Sequence, residues 1–381
     1  MKNSIAFVWE NFGPTHADRC EATAKLFEGR RTIVGIELGG TSEVYGWRSE
    51  SGTRFEKVTL FPQASANKVG HWARYWVTLQ ACVGSGASDV FLCHYQHLST
   101  LLTAISLRIL GRRVYVMNDS KFDDYERSLW REVGKSFFYF PYVGGIASGK
   151  RSIDYLRFLG LSRTRLRGNY NAVGVERIRL LAGSPPAPEG HPFAGRHFTM
   201  VARFVTKKNH LVAIDAYDAY RRKTEHPRML HLCGSGPLEG AIRSRVAELG
   251  LEQCVRFHGF VQTEEVCKIL ANTLALLLPS IEEQFGNAVL EAFALGVPAI
   301  VGENCGVRDQ IVRSGVNGFV IEPDNVEGMA YFMSLLADDE ALWRRMSRAA
   351  HNWTHLGDAS HFAEAVRDVI GATVGNRRRG R

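Results

Sequence analysis

Short apolar bursts rich in β-branched residues alternate along this chain with longer stretches of helical period. In the first half the bursts are "SIAFVW", "RTIVGIEL", "DVFLCHY" and "RRVYVMN", each followed by a loop and then a helical stretch. Apolar runs of this length read as strands, and their alternation with helices points to a mostly parallel, doubly wound sheet. Around "LAGSPPAPEGHPFAGR" (181–196) Pro and Gly cluster and the pattern pauses. It restarts with six further bursts, "HFTMVARF", "RMLHLCG", "CVRFHGF", "TLALLLPS", "GVPAIVG" and "GFVIEP". The pattern therefore predicts an α/β protein of two doubly wound, Rossmann-like domains. The first is expected over 1–182, a linker over 183–196, and the second over 197–355. The remainder, 356–381, is expected to be a helix that returns to the first domain, followed by a basic tail, "GNRRRGR", without fixed structure. Ligands of open α/β sheets sit beyond the carboxyl ends of the strands, so two such sheets facing each other would hold the chemistry in a cleft.

Composition narrows the class. The 381 residues suit two domains of ordinary size, and 45% hydrophobic residues with a mean hydropathy of -0.14 suit a soluble globular protein. No apolar run reaches the ~20 residues that span a bilayer, and "MKNSIAFVWENFG" lacks the long apolar core and cleavage site of a signal peptide. Seven scattered cysteines with no CxxC pair fit a reducing, cytoplasmic setting. The formal charge of +8 is unevenly placed: residues 1–180 carry 25 Lys+Arg against 16 Asp+Glu (+9), and residues 181–381 carry 22 against 23 (−1). The basic half predicts an anionic partner, either a membrane surface or a phosphorylated acceptor. No motif supports nucleic acid. "VGHWARYWVTLQA" (69–81) groups Trp72, Tyr75 and Trp76 with Arg74 and Lys68. Such a helix either lies at a membrane interface or packs its aromatics on the sheet. Arg163, Arg165 and Arg167 would extend the basic face. A peripheral location at the inner face of a membrane is expected.

The richest segment is "LLLPSIEEQFGNAVLEAFALGVPAIVG" (276–302), a buried strand running into a helix while carrying Glu282, Glu283 and Glu291. Asn287 stands near the helix start and Gly296 closes it. The first backbone N–H groups, from Gly286 to Val289, lack intrahelical partners and make an anion site at the positive end of the dipole. Gly286 removes a side chain where a ligand approaches the backbone. Glu283 precedes the helix and Glu291 lies about one turn inside it. Carboxylates do not bind phosphate, but they accept hydrogen bonds from hydroxyls. The ligand implied has hydroxyls at both ends and phosphates in the middle, as a nucleotide diphosphate sugar does.

"PSIEEQFGNAVLEAFALGVPAI" resembles the E-x7-E segment of retaining GT-B glycosyltransferases, in particular family 4, with Gln284 where Gly is usual. "VARFVTKKNHLVAIDA", "LHLCGSGPLEGAI", "VRFHGFVQTEEV" and "GENCGVRDQIVRSGVNGFVIEPDN" resemble the other segments of that family in the same order. The resemblance implies that Arg203 and Lys208, or Lys207 in its place, neutralise the diphosphate without a metal or other cofactor. It implies that Gly234 lies in a donor-side turn, and that the backbone near Phe260 and Val261 meets the base. His258 is expected to be structural, and Asp309, where the family has glutamate, at most organises a loop. Before residue 180 the likeness is looser. It would bring Gly13 to the transferred sugar and its phosphates, and Asp119 to an acceptor or sugar hydroxyl, where relatives carry a strand-end His. His16 would either face the acceptor or cap a helix, and His94 and Tyr95 are expected to pack.

The activity implied is retaining, metal-independent transfer from a UDP- or GDP-sugar to a glycan or lipid-linked acceptor. Glu283 would hold the sugar's hydroxyls and Glu291 the ribose. Gly286 and Asn287 would share the diphosphate with the cations. Two other activities share these features: a GT-B sugar-nucleotide epimerase and a non-catalytic sugar-nucleotide-binding paralogue.

Overall fold

The computed structural model describes residues 4–41, 46–47, 50–93 and 97–379, with backbone alone for 375–379. It divides into two compact units, Met1–Val173 with Asp358–Arg381, and Gly174–Gly357.

The first unit is built from β1 (Ser4–Trp9), α1 (Pro14–Leu26), β2 (Ile33–Thr41), β3 (Glu56–Ser65), α2 (His71–Gly84), β4 (Ala87–Leu92), α3 (Leu98–Ile109), β5 (Arg113–Asn118), α4 (Leu129–Tyr139), β6 (Gly144–Ala147), α5 (Lys150–Phe158) and β7 (Leu166–Arg167). Its strands form one parallel sheet in the order β3-β2-β1-β4-β5-β6-β7. All six residues of β1 are buried, as a strand covered on both faces requires. Ala6, Val8, Val34 and Ile36 pack with Cys82, Leu107, Tyr139 and Leu156, so α2 to α5 cover one face. Ile5, Phe7 and Trp9 pack with Cys20 and Ala24 of α1 and with Phe362 and Val366 on the other.

The second unit comprises α6 (Val175–Ala182), β8 (His197–Val201), α7 (His210–Arg221), β9 (Leu230–Cys233), α8 (Glu239–Glu248), β10 (Val255–Gly259), α9 (Thr263–Ala271), β11 (Thr273–Leu278), α10 (Asn287–Ala294), β12 (Ala299–Gly302), β13 (Gly318–Ile321), α11 (Val326–Asp338) and α12 (Glu340–Trp353). Its parallel sheet runs β10-β9-β8-β11-β12-β13, and its six strands are the six bursts in the sequence. The last helix, α13 (Ala359–Arg379), belongs to the first unit, lies beside α1 and continues into the tail expected to lack structure. Among the described residues no helix is long and apolar enough to cross a membrane.

The units divide at Val173/Gly174, ahead of α6, rather than at 182/183. Arg179 of α6 donates from Nε to the Ala294 carbonyl at 2.9 Å, anchoring that helix in the second unit. The Pro/Gly stretch belongs there too. The Ala187 amide donates to the Leu295 carbonyl at 2.8 Å, and the buried Arg196 guanidinium reaches the Ala271 and Thr273 carbonyls at 3.1 Å each.

Candidate functional site

In the second sheet the chain lays down β8, β9 and β10 in one direction and then returns to the other side of β8 for β11, β12 and β13. The topological switch therefore falls between β8 and β11, where the connections diverge and leave room beyond the strand ends. Arg203 emerges just past β8, Gly234 just past β9, Phe260 and Val261 just past β10, and Glu283 just past β11. Arg203, Gly234, Phe260, Val261 and Glu283 thus all follow strand ends along one edge of one sheet.

A charge pair spans the switch. Lys208 Nζ meets Glu283 Oε2, with side chains 15% and 13% exposed. Ser280 Oγ donates to the same oxygen at 3.4 Å. The preceding lysine acts through its backbone, the Lys207 carbonyl accepting from the Ile281 amide at 2.9 Å. Of the two lysines, Lys208 is the one whose ammonium stands at the carboxylate. Asn209 follows in the left-handed region at φ 61°, which asparagine tolerates, and its Nδ2 donates to the carbonyls of Pro279 (3.1 Å) and Pro323 (2.6 Å). That amide ties the loop after β8 to the chain leaving β11 and β13. Neither Ser280 nor Asn209 was marked in the sequence, because their roles lie in partners distant along the chain.

The loop carrying Glu283 is stitched to a single 3-10 turn, Gly306–Asp309. The Gly306 amide donates to the Glu283 carbonyl at 3.2 Å and Val307 to Phe285 at 2.8 Å. A Cβ on Gly306 would lie 2.1 Å from the Gln284 carbonyl oxygen, so only glycine lets the loops approach this closely. Asp309, expected to organise a loop, sits in this turn with Arg308 Nε 3.8 Å away.

Gly286 has φ 112° and caps α10; the Val289 amide donates to the Gly286 carbonyl at 3.0 Å, so Asn287 and Ala288 are the amides ahead of the first turn's bond. Asn287 Oδ1 at that helix start is buried with no hydrogen-bond partner among the described residues. A polar atom left so is the exception in folded proteins and marks a place for a ligand or water. Glu291 is half-buried, one turn further on. His210, the first residue of α7, is 3% exposed with both ring nitrogens unpartnered, edge-on to Phe204 at 4.8 Å. Burial, aided by the Lys208 charge, pushes its pKa down to about 4, so the ring is neutral.

In the first sheet the switch lies between β1 and β4. Glu10, just past β1, accepts from Arg74 Nη2 at 2.9 Å and pairs with His97 Nε2 at 3.0 Å. Arg74 is 4% exposed, so it turns inward and is lost to the basic helix face expected over 69–81. Trp72 and Trp76 of that helix are 67% and 54% exposed, while Tyr75 bonds Ser106 at 2.9 Å. The helix thus packs Tyr75 against α3 and leaves both tryptophans exposed.

The Gly13 amide donates to His16 Nδ1 at 3.0 Å, making His16 part of the cap of α1, with its ring against Trp9 and Phe12. Trp47 covers Gly13 closely enough that a Cβ would meet its ring at 2.6 Å. The loop is held by Glu37, fully buried in β2, which accepts from the Phe12 amide and Thr59 Oγ1 at 2.8 Å each and pairs with Lys57 at 3.1 Å. Glu37 was hidden in the sequence as one polar letter within an apolar strand. Asp119 is half-buried just past β5, its carbonyl accepting from Ser152 Oγ at 3.1 Å. His94 and Tyr95 lie outside the described residues.

Away from these edges, His197, His231 and His258 stack across β8, β9 and β10. The first two rings lie 3.7 Å apart and nearly parallel, and His258 Nε2 is 3.2 Å from His231 Nδ1. His258 is thus structural, as the sequence suggested. Burial, with the neighbouring imidazoles second, pushes the pKa of His197 down to about 3 and that of His231 down to about 4. Burial and then Arg256 lower that of His258, against Glu265. Because these folded values lie below the unfolded value, the unfolded chain binds more protons in acid. The associated stability is complete above the unfolded value and is lost as pH falls towards about 4. The melting temperature of the chain is expected to fall steadily from about pH 7 to about pH 5. The replacement His231→Phe should flatten that fall, as calorimetry would show.

Residues 187–353 match the family described as glycosyl transferases group 1. That match lies within the second unit. The D-inositol 3-phosphate glycosyltransferase of Streptomyces griseus is 30% identical over 229 residues, 60% of this chain and 48% of that protein. The exopolysaccharide phosphotransferase of Streptomyces coelicolor is 32% identical over 186 residues, 47% of this chain and 19% of that protein. The chain therefore spans about half the length of one and a fifth of the other. A glycosyltransferase from Rickettsia africae superposes with a TM-score of 0.72 at 13% identity, covering 98% of this chain and 99% of that one. Anabaena HepE in complex with UDP and glucose does so with 0.72 at 15%, covering 97% and 100%. The fold is that of the GT-B glycosyltransferases, with two Rossmann-like units.

Proposed function

We propose that the chain transfers a sugar from a nucleotide diphosphate donor to a glycan or lipid-linked acceptor in polysaccharide biosynthesis. The observation that carries this reading is the Lys208–Glu283 pair across the second switch point, beside the glycine-capped start of α10. A cation, a carboxylate and the start of a helix suit a molecule of phosphates flanked by hydroxyls. In this reading Arg203, Lys208 and the amides at Gly286 and Asn287 hold the diphosphate. Glu283 accepts from the sugar's hydroxyls, Glu291 from the ribose, and the segment at Phe260 and Val261 meets the base. The HepE complex with UDP and glucose and the polysaccharide context of several relatives support this donor class.

Transfer is proposed to retain configuration. The bond from the anomeric carbon to the diphosphate breaks, the acceptor oxygen bonds to that carbon from the same face, and the acceptor's proton passes to the departing phosphate oxygen. The fixed cations carry the leaving charge in place of a divalent ion. The first, basic unit supplies the acceptor side, with Asp119 as its candidate hydroxyl-orienting group.

A thermal-shift panel of nucleotides and nucleotide sugars tests the donor class. A uridine or guanosine diphosphate sugar is expected to raise the melting temperature, whereas no shift from any of them would remove the basis of the reading. Activity is expected to persist in EDTA. Complete loss there, restored by a divalent ion, would contradict the metal-independent route. Product analysis without acceptor separates transfer from epimerisation of the donor.

A further inference from the structure

The helix α4 turns a broad apolar face outward. Leu129, Trp130, Val133 and Phe137, with Phe140 just beyond the helix, are 58%, 85%, 47%, 72% and 69% exposed. At 3.6 residues per turn these five side chains fall within an arc of about 100°. The inward side places Tyr139 in the core and a buried charge beside it. Glu132 is 2% exposed and accepts from Lys135 Nζ at 2.6 Å and Arg127 Nη1 at 3.2 Å, with the Tyr155 hydroxyl donating to its other oxygen. That buried charge knot fixes the rotation of the helix, so its apolar arc is held outward by design of the packing. An apolar stripe of this size, on the face of the sheet covered by α2 to α5, marks a contact surface.

We propose that the outward face of α4 docks the protein on an anionic lipid bilayer. The composition of the arc, one Trp and two Phe with aliphatic residues, suits the headgroup boundary, where aromatic side chains settle. The charge around it is complementary. Residues 121–170 hold 10 Lys+Arg against 5 Asp+Glu (+5), and Arg131, Lys150, Arg157 and Arg163 of this stretch are exposed. Phe122 and Phe158, 44% and 45% exposed and 5.5 Å apart, enlarge the apolar area towards α5. A second copy of the chain is a poorer occupant. An 11-residue helix is about 16 Å long and about 10 Å wide, a footprint far below the ~800 Å² per partner of a stable dimer. A bilayer needs no such complementary surface. The proposal deepens the lipid-linked acceptor reading above and rests on it for the kind of partner. It places the membrane contact on α4 and not on α2, for which the sequence left membrane contact and packing on the sheet both open.

Flotation of the full chain with phosphatidylglycerol or phosphatidylcholine vesicles, without donor or acceptor, tests it. The wild type is expected to float with the anionic vesicles and to release them in high salt. The double variant Trp130→Glu/Phe137→Glu should bind them roughly tenfold less or weaker, while Trp72→Glu/Trp76→Glu keeps most of its binding. If the glutamates lower the melting temperature, Trp130→Ser/Phe137→Ser makes the same comparison. Unchanged binding in the α4 variants, loss confined to the α2 variant, or no binding by the wild type would overturn the proposal. So would a wild-type dimer in sedimentation that the α4 variant abolishes without any vesicle binding. Donor-induced thermal shifts, read separately, show whether the sugar-transfer reading stands when the membrane reading falls.

Discussion

Replacing Glu283 with Ala is expected to lower sugar transfer by about 10²–10³-fold, the usual loss for one preorganised polar group at a reacting centre. Two effects combine. In the proposed reading the substitution removes the acceptor for the sugar's hydroxyls, and it leaves Lys208 without the carboxylate it pairs with. Arg203→Ala should lose a comparable factor by a different route, because charge on the leaving diphosphate then goes uncompensated. Both side chains lie past strand ends and outside the apolar core, so melting temperatures should stay within a few degrees of wild type. Glu291→Ala provides the contrast. A group that grips the ribose equally in ground and transition states shows up in KM for the donor more than in kcat. Near-normal turnover in both the Glu283 and Arg203 variants would remove the site assignment, whatever the fold.

How legible was this in the sequence? The second sheet was read strand for strand, because each of its strands falls in a short apolar or β-branched burst between turn residues, even where β9 and β10 carry His231, Arg256 and His258. In the first sheet β3 and β6 were not read. The segment Glu56–Ser65 is half-exposed and interrupted by Pro62, which keeps it at the sheet edge, and Gly144–Ala147 is only four residues long, two of them glycine, with Ile146 its one large apolar side chain. The division between units was misplaced for a related reason. Proline and glycine at 183–196 looked like slack chain, but Pro/Gly-rich backbone also packs closely. A Cβ on Gly296 would lie 2.1 Å from the Ala187 carbonyl oxygen.

At the site, the residue types were visible and their pairings were not. Nothing in "VTKKN" separates Lys207 from Lys208; only the path of the turn sends one ammonium to Glu283 and turns the other residue's carbonyl to the loop. Arg74 looked like a surface cation until Glu10 and the sheet's switch point drew it inward. The outward face of α4 escaped attention because periodicity reports that a helix has two faces and not which one is buried.

The glycine turns make the strongest claim about how the site is held. Gly234 has φ 156°, and a Cβ there would lie 1.9 Å from the Ala202 carbonyl oxygen and 3.2 Å from Phe204 Cε1. The obstacle is backbone, so it cannot rotate away. The Gly234 amide also donates to the Gly259 carbonyl at 2.8 Å, joining the ends of β9 and β10. In Gly234→Ala the loop after β9 must move off the loop after β8, the loop from which Arg203 emerges. The cost is expected to be roughly 2–4 kcal/mol, from backbone strain plus the displaced contact. In a unit of this size that lowers the melting temperature by about 5–15 °C. Gly286→Ala is the informative comparison. Its φ of 112° is strained for any L-residue, yet the nearest atom to a new Cβ is Leu278 Cδ2 at 3.1 Å, the movable end of a side chain. It should therefore melt closer to wild type than Gly234→Ala while losing more of the thermal shift that a nucleotide sugar produces, since it disturbs the amides at the start of α10. If the two variants instead fell in the opposite order of stability, the turn after β9 would not be the rigid element that fixes where Arg203 meets the donor.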